Sequence, residues 1–177
     1  MSTFLTVIIA FFSAFAGAAS KLGLESWTRI AEARSLAAIL RAEILATLSI
    51  IDQRNYKAVM MWQLSELNEG REVKFWNFIL NEDRLDEGYK ASVTSSKLGT
   101  IGFKEAASIV KFYRQLHGIM GDVKRFGDPT FITNADERKH FLMDTIRIWG
   151  DAEKDAKLAC DALLAYCEKP TWRHFLA

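Results

Sequence analysis

The sequence predicts an all-α protein: an N-terminal transmembrane helix that continues into a bundle of four to five helices. Three observations predict this class. Residues 4–19 carry no charged side chain. Residues 24–52 contain no Gly or Pro and are rich in Ala, Leu and Glu, a strongly helical composition. Only Pro129 and Pro170 interrupt the 177 residues, and no Pro/Gly/Ser-rich linker divides them. The predicted parts are a transmembrane anchor at 3–22, an α-helical domain at 24–168 and a tail at 169–177.

The uncharged run 4–19 is the basis for the membrane prediction. As a helix it covers roughly 24 Å, against about 30 Å for a bilayer core. Lys21 can extend it by snorkelling. The positive charges follow the run, at Lys21, Arg29 and Arg34. By the positive-inside rule, this order predicts a bacterial inner-membrane protein with its N-terminus outside and a cytoplasmic domain.

Two other interpretations of this run stay open. Ala14, Ala16 and Ala18 fit the small-x-small pattern before a signal-peptide cleavage site, although the first three residues lack the usual positive charge. Cleavage would leave a secreted or periplasmic helical binding protein. The third interpretation is a buried core helix, which is less expected for so apolar a run at the start of the chain.

Small residues recur in the predicted anchor at four-residue spacing. They are Ala10, Ser13, Ala14, Gly17 and Ala18. This spacing lets two membrane helices approach closely, although small residues are common in membrane helices generally. The anchor predicts membrane lipid as a partner, and its small-residue face adds a second copy of the chain or another membrane protein.

Hydrophobic spacing predicts the helices of the domain. In 24–52, apolar residues recur at steps of three and four. Between Ser35 and Ile51 only Arg41 and Glu43 are charged, so we expect this part to be covered on most sides. Three further helices are predicted at 56–68, 104–124 and 135–168. Asn134 and Glu137 have the spacing of a capping box at the start of the last one.

Two segments have weaker patterns. Residues 73–80, VKFWNFIL, are interpreted as a short helix or packed loop, and 85–96 as a weak helix or irregular connector. GDPTFITN, 127–134, is predicted to be a loop. Four aromatic residues between positions 62 and 78 are expected in the core, or in a binding patch if they are exposed. They are Trp62, Phe75, Trp76 and Phe78.

The sequence indicates no cofactor. Glu137 and His140 form one Glu-x-x-His motif, whereas di-iron bundles use two. The three histidines are scattered, and a formal net charge of +1 argues against a nucleic-acid partner. Cys160 and Cys167 lie two helical turns, about 10 Å, apart, too far for a disulfide, and are interpreted as buried thiols.

Scattered carboxylates leave two further possibilities. Glu43, Glu137 and Asp144 would make a catalytic site only if the fold brought them together. The acidic residues of 66–90 are interpreted as a solvated face, with a docking face for a basic partner as the alternative. They are Glu66, Glu69, Glu72, Glu82, Asp83, Asp86 and Glu87.

Two stretches carry a resemblance. They are ARSLAAILRAEILATLSIID (33–52) and YKASVTSSKLGTIGFKEAASIVKFYRQLHGI (89–119). Together, over about 4–120, the chain resembles a group of small bacterial proteins with one membrane-spanning segment and no assigned activity. The resemblance implies a bacterial or phage-borne anchored helical protein and supplies no catalytic residues.

The LGTIGF segment is the remaining candidate site. Its two glycines are typical of a turn, and its apolar side chains are expected to pack the connector against the next helix; a ligand or partner site is the alternative. The residues concerned are Tyr89, Leu98, Gly99, Ile101, Gly102 and Phe103. With no catalytic constellation evident, the sequence favours a non-catalytic interaction, scaffold or regulatory protein.

Overall fold

The computed structural model describes residues 2–71, 73, 85–126 and 134–170 of the chain. All regular structure in these residues is helical, which confirms the all-α prediction. The elements are α1 (Ser2–Gln53), α2 (Tyr56–Asn68), α3 (Glu87–Thr94), a 3-10 turn (Leu98–Ile101), α4 (Phe103–Phe126) and α5 (Ala135–Glu168).

Helix α1 is the longest element, with 52 residues and a length of roughly 78 Å. It continues through Gly23 without a break, because no proline or turn sequence interrupts it. Residues 13–25 are exposed all round. From Ala33 onward one face of the helix is buried in the domain, at Ala33, Ala37, Leu40, Ile44 and Thr47.

Two hydrophobic clusters form the core, and α5 contributes to both. The first lies between α1, α4 and α5, around Leu40, Phe112 and Leu163, which are at most 1% exposed. The second lies where α2 packs on α4 and α5, and includes Met60 and Trp149. The helix faces predicted from hydrophobic spacing therefore meet in one bundle.

A local sequence signal correctly predicted where α5 begins. Helix α5 begins at Ala135, where the Asn134 side chain accepts a hydrogen bond from the Asp136 N–H at 2.9 Å. The weak helix predicted in 85–96 is α3. The predictions for 74–80 and 127–133, for Phe75, Trp76 and Phe78, and for most of the tail at 169–177 lie outside the described residues.

The membrane prediction needs correction. Among the described residues, no helix is long and apolar enough to cross a membrane. The physical reason is the length of the uncharged run, which covers only roughly 24 Å as a helix. Polar and charged residues then follow it, at Ser20, Lys21 and Glu25. The assignment to the bacterial inner membrane, with the N-terminus outside and the domain in the cytoplasm, is therefore wrong, and so is the anchor at 3–22 on which it rested.

A second correction concerns the outer face of α1. We expected residues 35–51 to be covered on most sides, but only the inner face is. Eight uncharged residues of this stretch are exposed: Ser35, Ala38, Ile39, Ala42, Leu45, Ala46, Ser49 and Ile50. The bundle contacts α1 from one side only. Part of the apolar surface of α1 is therefore not covered by the described part of the chain.

Candidate functional site

A groove lies where α1, the 3-10 turn and the C-terminal end of α5 meet, and encloses about 680 Å³. Its apolar lining includes Ile30, Ala33, Leu36 and Ile101. Its charged lining consists of Arg29, Lys97, Lys169, Glu32 and Glu105. Lys97 Nζ is 3.8 Å from Glu32 Oε2 across this rim. The groove thus combines an apolar lining with charges of both signs.

The C-terminal end of the 3-10 turn is held in place by two contacts. Ile101 is fully buried in the first core cluster. The Tyr166 hydroxyl donates a hydrogen bond to the Thr100 carbonyl at 3.2 Å, which ties the turn to α5. Gly102 then has φ 115° and ψ 149°, a conformation that is essentially confined to glycine. This backbone lets α4 begin directly at Phe103.

Small residues keep the groove open. Gly99 lines it, and a Cβ added there would meet no atom within 4 Å. Ala165 lines the opposite wall on α5 and is exposed. The end of α5 is fastened to α1 because the Arg34 guanidinium donates a hydrogen bond to the Lys169 carbonyl. The walls are therefore fixed, and within the described residues no side chain fills the space between them.

The structure places only some of the predicted turn residues in this groove. Gly99, Ile101 and Gly102 line it, and Leu98 packs against the first core cluster. Tyr89 lies elsewhere, stacked on Tyr113 with ring centroids 4.1 Å apart. Phe103 is 89% exposed and borders a shallow depression on α4 instead.

Sequence reasoning missed a polar cluster at the start of α3. One Glu43 carboxylate oxygen accepts the Gly88 N–H at 2.6 Å, and the other accepts the Tyr89 N–H at 3.2 Å and the Tyr113 hydroxyl. Asp86, at the N-cap position, makes no side-chain cap bond. Glu43 therefore satisfies the free N–H groups of α3 from a different helix.

Asp86 instead binds two side chains on the other side of the α3 start. Its carboxylate is 3% exposed and lies 2.7 Å from His117 Nε2 and 2.9 Å from Lys90 Nζ. Nearby, the Thr47 hydroxyl donates to the Leu85 carbonyl at 3.2 Å. Asp86 was predicted to lie on a solvated acidic face, but it is buried, and its contacts with Lys90 and His117 offset the cost of burying the carboxylate.

The cluster changes the acidity of Tyr113. Burial, followed by the hydrogen bond to the Glu43 carboxylate, raises the pKa of the Tyr113 hydroxyl far above its ordinary value. The hydroxyl therefore remains a donor at neutral pH. Both Glu43 carboxylate oxygens already accept hydrogen bonds. The role of this cluster is therefore structural, because it holds α3 against α1 and α4.

The other acidic residues are dispersed. Glu137 and Asp144 are exposed on the N-terminal half of α5, and Asp144 pairs with Arg147 at 3.2 Å. The structure thus does not bring them to Glu43. In the described residues, no group of three His, Cys, Asp or Glu side chains could hold a metal. His140 is exposed, with Nδ1 2.9 Å from the Asp136 carbonyl.

Part of the predicted acidic face forms local pairs. Arg71 contacts Glu66 at 2.5 Å and also pairs with Glu69. The hydrogen bond from Arg71 lowers the pKa of Glu66. Glu87 is exposed in the first turn of α3. Glu72, Glu82 and Asp83 lie outside the described residues.

The remaining predicted residues have simple positions. Ser13, Ala14, Gly17 and Ala18 are exposed on α1, and Ala10 lies in the same helix. Both cysteines are free thiols, with Cys160 buried and Cys167 half-buried. Burial raises the pKa of each thiol, so both are poor nucleophiles at neutral pH.

No family model matches the chain, and searches of curated proteins and of solved structures found no similar protein. The resemblance to small bacterial single-pass proteins stays a prediction. The geometry of the groove and of the Glu43 cluster is therefore the basis for the functional argument.

Proposed function

We propose that the chain is a non-catalytic interaction protein that binds a short apolar segment of a partner protein in the groove between α1, the 3-10 turn and α5. One observation carries the proposal: an apolar lining at the junction of three elements, left open by Gly99 and Ala165. A volume of about 680 Å³ lies in the ordinary range for binding pockets.

The charges at the rim support the choice of a protein segment. Arg29, Lys97 and Lys169 are basic, whereas Glu32 and Glu105 are acidic. A polyanion would meet the two carboxylates, and a polycation would meet the three basic groups. A segment with an apolar residue between flanking charges of both signs fits this arrangement.

The test is a selection of short peptides from a displayed library on the full chain, followed by affinity measurements with the selected peptides. Gly99→Phe and Ala165→Trp should fill the groove from opposite walls without straining the backbone, and each should weaken binding at least about tenfold. Gly118→Phe and Ala91→Trp are the matched controls, because these positions are exposed and do not line the groove.

Selected peptides that bind wild type and controls equally, and bind the two filled variants weakly, would support the proposal. Failure to select any peptide, or equal binding to the filled variants, would overturn it. Thermal unfolding of every variant confirms that the altered chains remain folded.

A further inference from the structure

The exposed side of α4 carries charges of one sign only. Its two acidic residues are half-buried, since Glu105 lines the groove and Asp122 lies 3.5 Å from the Thr145 hydroxyl. A solvated helix face usually mixes both signs of charge, whereas a face of one sign is complementary to a partner of the other sign. The exposed charged side chains of α4 are all basic: Lys104, Lys111, Arg114, Lys124 and Arg125.

A shallow depression of about 600 Å³ lies on the N-terminal half of this side. Its apolar lining is contiguous along the helix and consists of Phe103, Ala106, Ala107 and Val110. The Phe103 side chain is almost fully exposed. An exposed aromatic ring that adjoins other apolar side chains is typical of a surface that a partner covers.

The rest of the lining is basic or amide. Lys111 Nζ is 2.9 Å from Asp155 Oδ1, but the Lys111 side chain stays 64% exposed. Within the described residues, Arg114 forms no ion pair and the Gln115 amide forms no hydrogen bond. None of the described lining residues is acidic. The depression therefore offers two cations and an amide donor beside an apolar wall.

We infer that this depression docks an acidic segment of a partner protein. An apolar side chain of the segment packs against Phe103 and Val110, and its carboxylates pair with Lys111 and Arg114. Charge complementarity carries this assignment, because carboxylates are the groups that cations and N–H donors recognise. The depression and the groove share no lining residue, so the chain would have two separate docking surfaces.

A short acidic segment fits this surface better than an extended polyanion does. The formal net charge of the chain is only +1, and outside the five basic side chains of α4 the acidic residues outnumber the basic ones. Exposed charges are screened beyond about 10 Å, so a short segment meets mainly the basic side of α4. A nucleic acid or an anionic lipid surface would also approach the acidic remainder of the chain.

The first test is a selection of short displayed peptides on the full chain with the Gly99→Phe substitution, which fills the groove and removes peptides that bind there. We expect the selected peptides to be rich in Asp and Glu and to carry an apolar residue. They should bind the wild type equally well, and high salt should weaken their binding, because exposed charge pairs are screened.

Two variants then test the depression directly. Arg114→Glu should weaken binding of the acidic peptides at least about tenfold by reversing a charge, and Phe103→Ala at least about fivefold by removing apolar contact area. Lys154→Glu and Met143→Ala are the matched controls, because both residues are exposed on α5 and neither lines the depression. Thermal unfolding checks that each altered chain remains folded.

Three results would overturn the inference: no acidic peptide is selected, the acidic peptides bind Arg114→Glu as tightly as the wild type, or Lys154→Glu weakens binding as much as Arg114→Glu. Phosphatidylserine vesicles and a single-stranded oligonucleotide are tested in parallel by sedimentation and gel shift. If either binds the wild type but not Arg114→Glu, while acidic peptides do not bind, this side of α4 recognises lipid or nucleic acid and the inference is wrong.

Discussion

At the residue scale, Glu43 links α1 to α3 and α4 through hydrogen bonds. Its carboxylate accepts three hydrogen bonds, two from the first turn of α3 and one from Tyr113. In Glu43→Gln, a single amide oxygen would remain as acceptor and the NH2 group would face a donor. We expect the free energy of unfolding to fall by about 2–4 kcal/mol, measured by urea unfolding.

Glu153→Gln is the control for this change. Glu153 pairs with Lys57 at 2.8 Å, and both side chains are 37% exposed. An exposed pair of this kind contributes about 0–1 kcal/mol. If the two substitutions cost the same, the Glu43 cluster would not hold α3 in the way the structure indicates.

Tyr113 provides a second test at the residue scale, through pH. Its pKa is raised in the folded protein, so the folded state retains a proton that the unfolded state loses near pH 10. The unfolded state then binds fewer protons, and the free energy of unfolding falls as pH rises above about 10. Tyr113→Phe should make this alkaline decline less steep than in the wild type, as chemical unfolding at several pH values would show. An unchanged slope would contradict the prediction.

The sequence could not reveal this cluster directly. Glu43 meets Gly88 and Tyr113, which lie 45 and 70 residues further along the chain, and hydrophobic spacing carries no information about such contacts. One signal was present: Glu43 is one of only two charged residues between Ser35 and Ile51. An isolated carboxylate in an apolar helix indicates a buried partner, which here is the start of α3.

At the scale of the elements, the backbone conformation of the turn before α4 depends on Gly102. Its φ of 115° is one that other residues rarely adopt, and an added Cβ would lie 2.6 Å from Glu105 Oε2. We expect Gly102→Ala to lower the free energy of unfolding by about 1–3 kcal/mol, mainly through backbone strain. Gly99→Ala is the matched control, because its Cβ would enter open space, and its effect should stay within about 0.5 kcal/mol. Thermal unfolding measures both, and a Gly102→Ala variant as stable as its control would contradict this account.

The elements also show which structural signals are local. The start of α5 at Ala135 was predicted from Asn134, because capping depends on residues within one turn. The coverage of α1 was predicted wrongly, because an apolar sequence does not specify what packs on it. The two glycines of LGTIGF predicted a turn, but the groove beside it also needs Ala165 and Lys169, whose proximity only the fold defines.

At the scale of the whole molecule, the domain packs on only part of α1. Residues 33–47 supply the buried face, whereas 13–25 are exposed on all sides. The hydrophobic pattern predicted the long helix but gave no estimate of where the bundle would begin along it. That boundary depends on the positions of α4 and α5, which are set by contacts distant in sequence.

This division of α1 predicts a gradient of amide hydrogen exchange. Backbone amides in 13–25 can exchange by local fraying, since a helix without tertiary contacts is marginally stable in water. Amides in 33–47 exchange only when the domain core opens, which costs a larger free energy. Exchange should therefore be faster in 13–25 by several orders of magnitude.

The measurement is hydrogen exchange of the full chain followed by mass spectrometry. Equal exchange in 13–25 and 33–47 would mean that something other than the described bundle stabilises the start of α1. The view that the domain supports only the second half of this helix would then be wrong.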